Sequence, residues 1–238
     1  MTVSLELSGP DASRPFIDAA APEHPSLLDP THQLDALFGV VNVPNVVWID
    51  EQGVIVRPPE PGWPGPTALP ESLIKAMTEQ AAQEPALASA ARDDLMAKIR
   101  SGQDQALYPD AIRDWARHGA ASRFAMTPGE VIAASQPRPP EQSAAAAHFE
   151  LAQHLWRTGR RDAAIRHFNE AHRLQPENWT YKRQAWSLLG QERVGGEFGR
   201  FSQNPLPGEE SDWPFASSFD ADVAALEPGR YYPATLPT

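Results

Sequence analysis

The chain contains no cysteine. That removes disulfides, thiolate nucleophiles and thiolate metal ligands together. It holds no run of about 18 apolar residues, the minimum for a membrane-spanning helix. Its first residues, MTVSLELSG, lack the basic start and apolar stretch of a signal peptide. A cytoplasmic location is the resulting expectation. Positive charge is scarce: 20 Lys and Arg stand against 31 Asp and Glu, a net charge of −11. With no dense Lys/Arg stripe to offset that balance, nucleic acid and anionic membrane are poor partners. There is also no Gly-rich phosphate loop and no Gly-x-Ser-x-Gly. No cofactor is implied.

What the chain does have is enough length, 238 residues, for one large domain or two small ones. Its 25 prolines bunch in particular stretches, as expected of ordered pieces joined by stiff connectors. Residues 2–8 alternate in polarity and read as a strand. Residues 11–21 read as a helix with Asp11 at the N-cap, and 31–38 as a short helix stopped by Gly39. Between them HPSLLDP, 24–30, reads as a loop. VVNVPNVVWID, 40–50, is the strongest strand signal; EQG, 51–53, turns it, and 54–57 returns as a hairpin arm. The run PPEPGWPGP, 58–66, reads as an irregular connector. From there the pattern is helical, over 70–83, 86–101, 108–118, 128–134, 142–158, 161–174 and 178–190. The segment 136–142 reads as a hinge. After about Gly195 periodicity fades, but Trp213, Phe215, Phe219, Tyr231 and Tyr232 suggest a tail that packs as an irregular strap.

The stretch LFGVVNVPNVVWIDEQGVIV resembles the second half of thioredoxin-like domains, chiefly the peroxiredoxin-related and membrane-anchored thiol-reductase branches. The resemblance rests on Phe38, Gly39, Val40, Val43, Pro44, Val46 to Asp50, Gly53 and Val54 to Val56, with LLDP at 27–30. It implies that Pro44 is the family's cis-proline and that the Val43 backbone can pair with an extended peptide. The alternative, that Pro44 only shapes a turn, stays open. The family's Cys-x-x-Cys, and the strand and helix that carry it, have no counterpart here. No residue inherits a redox role. The absent strand would lie between the strands at 2–8 and 45–50. Three solutions are open: direct pairing of those two strands, a second copy of the chain filling the gap as a homodimer, or a redox half lying upstream of Met1.

Residues 145–178 are similar to a tetratricopeptide repeat, a helix–turn–helix of about 34 residues. The matching positions are Leu151, Ala152, Leu155, Gly159, Ala164, Phe168, Ala171 and Pro176, with His148 at the first large position. Residues 178–190 look like the first helix of a further repeat. The resemblance places the peptide-binding groove at Phe149, Gln153, Trp156 and Arg157. Against it stands a packing-only reading, in which the aromatic tail fills that groove. Metal binding is disfavoured, because neither His148 with His154 nor His167 with His172 shares a helix face. Asp50 and Glu51 read as a polar turn rather than an acid–base pair, and Trp48 as core.

The expected fold class is α/β plus α, divided as an incomplete thioredoxin-like sheet over 1–83, a helical connector over 84–135, a repeat unit over 142–194 and a tail over 195–238. The expected function is non-enzymatic protein binding or scaffolding, with a protein or peptide partner and with contacts at Val43, Pro44 or the groove. The rival is a thiol or selenol oxidoreductase whose redox centre lies upstream or on a partner chain.

Overall fold

A computed structural model describes residues 1–63, 94, 97–98, 106–135, 137–193, 204–205 and 210–237. The chain divides into two compact units, Met1–Val41 with Pro137–Phe219, and Asn42–Gln136 with Asp220–Thr238. Both strands and helices are present, as the α/β-plus-α reading requires. The helices expected at 70–83 and over most of 86–101 lie outside the described residues. Asp94, Ala97 and Lys98, which are described, are helical.

In the first unit, β1 (Thr2–Leu5) pairs in parallel with β2 (Ser26–Asp29), and α1 (Pro10–Ala20) provides the crossover. The segment read as a loop at 24–30 is therefore partly a strand. Val3 faces Leu27 and Ser4 faces Leu28 in the register, so a run of only four residues suffices when a partner strand is at hand. Strand β1 pairs with β2, not with the strand at 45–50. Asp11 sits in the first turn of α1; the N-cap is Gly9, whose φ of 89° suits glycine, and Pro10 opens the helix. Helix α2 (Gln33–Phe38) ends at Gly39, in left-handed conformation with φ 76°.

In the second unit, β3 (Asn45–Ile49) and β4 (Ile55–Pro61) form an antiparallel hairpin. Asp50 makes the turn: its Oδ1 accepts the Gln52 and Val54 N–H groups at 3.0 and 2.8 Å, and Gly53 has φ 78°. Strand β4 runs on through Pro58, Pro59 and Pro61, residues read from sequence as irregular. The register explains the difference. Val46 faces Glu60 and Trp48 faces Arg57, so β4 carries an extra residue there, a bulge where missing proline N–H groups cost little.

Helix α3 (Leu107–His118) packs on this hairpin and α4 (Pro128–Ala134) follows, opened by a Thr127–Glu130 capping box. The core joins Trp48, Tyr108, Ala111, Phe124 and Leu236. Inside it, Arg57 forms a buried bidentate pair with Glu60 at 2.8 and 2.7 Å and donates to the Phe124 carbonyl. The Tyr108 hydroxyl donates to Glu60 and accepts from Trp48 Nε1, both at 2.9 Å. Burial, then the Glu60 charge, raises the Tyr108 pKa, so the phenol stays a donor.

Gly62 lies against the Tyr108 ring, and a Cβ there would fall inside the ring's contact distance. Replacing Gly62→Ala is expected to destabilise the protein by about 1–3 kcal/mol through overpacking. Urea denaturation followed by tryptophan fluorescence checks this; an unchanged midpoint would show that Tyr108 moves aside freely.

Candidate functional site

Helices α5 (Pro140–Arg157) and α6 (Arg161–Leu174) form an antiparallel pair. Ala145, Ala152, Ala164 and Ala171 are fully buried along it, and their small side chains let the helices approach. Gly159, with φ 77°, makes the turn, and Pro176 follows the end of α6. Helix α7 (Trp179–Arg193) comes next. Its first amides are met by the Val41 carbonyl and by Asn178 Oδ1, which accepts from Tyr181 N–H at 3.0 Å.

Two of the four groove positions are not open. Phe149 and Gln153 are buried, whereas Trp156 is half-buried and Arg157 exposed. The cover comes from the start of α2. His32 meets Phe149 edge-on at 5.1 Å, and Tyr181 stacks on Phe149 at 4.1 Å. Gln153 Nε2 donates to the Thr31 carbonyl at 3.5 Å, a long contact. Trp156 carries Arg161 over its ring at 4.7 Å. Among the described residues of the tail, Phe215 lies beside the repeat pair. It packs on Phe168 and His172 of α6.

The local sequence explains how His32 reaches Phe149. Asp29 closes the approach to α2, accepting the Leu34 N–H at 2.7 Å and the Thr31 N–H at 3.3 Å. Burial works to raise the Asp29 pKa, but the amides of Leu34, Gln33 and Thr31 outweigh it and hold the carboxyl below its usual range. His32 then turns through φ 56°, uncommon for a residue other than glycine, and its side chain is wholly enclosed. Its Nδ1 lies 2.7 Å from Asp35 Oδ2, while Nε2 has no hydrogen-bond partner among the described residues. Burial raises the Asp35 pKa against the opposing pull of His32.

Beside this contact is a pocket of about 220 Å³. Thr31, His32, Gln33, Ala36 and Leu37 form one wall; Ala146, Phe149, Glu150 and Tyr181 form the other. Apart from Phe149, none of these was a candidate from sequence. Tyr181 lies in the helix read as the start of a further repeat, whereas nothing in the pattern around His32 marks it as a neighbour of Phe149, because that contact joins segments far apart in the chain.

The histidines compared along single helices meet across two. His148 Nδ1 and His167 Nδ1 are 2.8 Å apart, one ring donating to the other. Among the described residues no three His, Asp or Glu side chains gather as a metal site would require. Asp50 is occupied in its turn, as read from sequence, and Trp48 is buried.

In the second unit the Val43–Pro44 peptide bond is cis. Val43 and Pro44 are exposed, yet the Val43 backbone is already committed within the chain. Its N–H donates to Asn42 Oδ1 at 3.0 Å and its carbonyl accepts from the Tyr232 hydroxyl at 2.7 Å. Asn42 in turn donates to the Tyr231 carbonyl, and Trp63 meets Tyr232 edge-on.

Phe149 thus has the surroundings of a core residue. Phe149→Ala is expected to cost about 3–5 kcal/mol, measured by chemical denaturation; a cost near zero would mean the Phe149 ring is free in solution. His172 provides a second expectation. Burial, then the Lys182 charge, pushes its pKa down to about 3 from 6.5. Above pH 6.5 the ring is neutral whether the chain is folded or not. Below it the unfolded chain takes up a proton that the folded unit refuses. Stability therefore falls as pH drops toward 3, by up to about 1.4 kcal/mol per pH unit. Denaturation across a pH series should show that slope, and His172→Gln should flatten it.

No curated protein and no solved structure matches the chain. No helix among the described residues is long and apolar enough to cross a membrane. A family model does match over residues 145–178, from Ala145 within α5 through the Gly159 turn and α6, and its description is tetratricopeptide repeat.

Proposed function

We propose that this chain is a protein-binding or scaffold module, built on the tetratricopeptide pair, with a redox-inactive thioredoxin-like region over residues 1–83. The carrying observation is the repeat match at 145–178, because repeats of this type mediate protein contacts through the groove of their first helices. In this reading Trp156 and Arg157 offer the open end of the groove to a peptide, and Phe149 and Gln153 support it from beneath the His32 segment. Val43 and Pro44 are a second peptide-binding position, reached by displacing the Tyr232 hydroxyl. The lack of any cysteine supports the redox-inactive part. The helical connector at 84–135, the repeat unit at 142–194 and the tail complete the proposed division.

The test is an array of random dodecapeptides probed with the full chain. Binders should exist, and Trp156→Ala should weaken them by about tenfold, the cost of losing an aromatic anchor. An array without binders, or binders indifferent to Trp156, would overturn the reading.

A further inference from the structure

The pocket between α2 and α5 has properties that select an occupant. Its volume, about 220 Å³, is below the range of about 300–1,000 Å³ typical of small-molecule sites. It suits one side chain rather than a free metabolite or nucleotide. Its apolar surface comes from Ala36, Leu37, Ala146 and Phe149. Leu37 is 76% exposed, a leucine standing at the rim with little to cover it. That surface fits a hydrocarbon stem.

Its polar groups favour a donor and a positive charge. Glu150 lies at the rim, exposed, with no ion-pair or hydrogen-bond partner among the described residues. The Tyr181 hydroxyl makes no hydrogen bond to a described residue. Behind the wall are the Asp35 carboxyl and the unpartnered His32 Nε2. Burial, then the Asp35 charge, raises the Tyr181 pKa against the opposing pull of Arg138, so the phenol stays protonated and its oxygen can accept a hydrogen bond. The chain as a whole carries −11, which draws cationic partners toward it.

We infer that this pocket receives a basic side chain, of lysine or arginine type, from a bound peptide, with its stem along Leu37 and Ala146 and its head at Glu150. This rests on the protein-binding reading and adds the class of partner: a basic peptide. The long aliphatic stem and charged tip of such a residue match an apolar wall that ends in a carboxylate. An acidic or purely apolar side chain would leave Glu150 opposed or buried without a partner.

The experiment is a titration of the isotope-labelled full chain, followed by amide shifts, with three probes: Nα-acetyl-lysine methylamide and its norleucine and glutamate counterparts. The lysine probe should give saturable shifts confined to Ala36, Leu37, Ala146, Glu150 and Tyr181. The norleucine probe should bind more weakly and the glutamate probe should produce no such shifts. Glu150→Gln, at an exposed position that leaves the fold intact, should weaken the lysine probe about two- to fivefold, the value of a rim ion pair. Leu37→Ser should weaken lysine and norleucine probes alike. Equal binding of lysine and norleucine, shifts located elsewhere, or indifference to Glu150→Gln would each overturn the inference. Array peptides that bind through Trp156 without any preference for basic residues would overturn it too, while leaving protein binding intact.

Discussion

A single helix–turn–helix has an apolar face on each side and no neighbour to bury either, and the first unit is organised around that shortage. The alanines at 145, 152, 164 and 171 bring α5 and α6 together, but Phe149 and Phe168 then need cover from outside the pair. Tyr181 of α7 and His32 close over Phe149, and Phe215 closes over Phe168. The helix that follows the pair, together with two segments more distant in sequence, thus does the work that adjoining repeats do in a longer array. The second unit meets the same difficulty with a hairpin. Two strands alone are marginal in water, and β3–β4 is completed by Tyr108, Phe124 and Leu236.

This borrowing determines which side chains of α5 stay open to solvent. Where His32 covers α5, Phe149 is core; beyond that cover Trp156 is half-buried and Glu150 and Arg157 are exposed. The His32 segment carries costs of its own: a left-handed backbone at a side-chain-bearing residue, an imidazole nitrogen without a partner, and a carboxylic acid taken out of water. Asp29, accepting several backbone amides, holds the segment in that position.

Local patterns were legible in the sequence to the extent that local physics decides them. The repeat helices, the Gly159 turn, the Gly39 stop and the Asp50 hairpin turn each rest on residues a few positions apart, and the structure has all of them. The strand at 26–29 was missed because four residues carry little periodicity, and pairing with β1 decides their state. The proline run was misjudged because proline is tolerated where a bulge relaxes the ladder. The resemblance to the repeat placed Phe149, Gln153, Trp156 and Arg157 together on α5. It had no means of showing that Thr31 and His32 lie on top of two of them, since no short-range signal encodes a contact between residues 32 and 149.

The proline-bearing stretch of β4 has a further effect. Pro58, Pro59 and Pro61 have no N–H to offer, and the Val56 carbonyl is already taken by the Met126 amide. An extended chain laid along this margin would find few donors and broken spacing, so the strand is a poor template for stacking. A hairpin whose other strand runs Val46–Val47–Trp48–Ile49 is the kind of segment from which fibrils grow. The prolines that seemed to forbid a strand thus make the outer margin of β4 a poor place for another copy of the chain to add a strand.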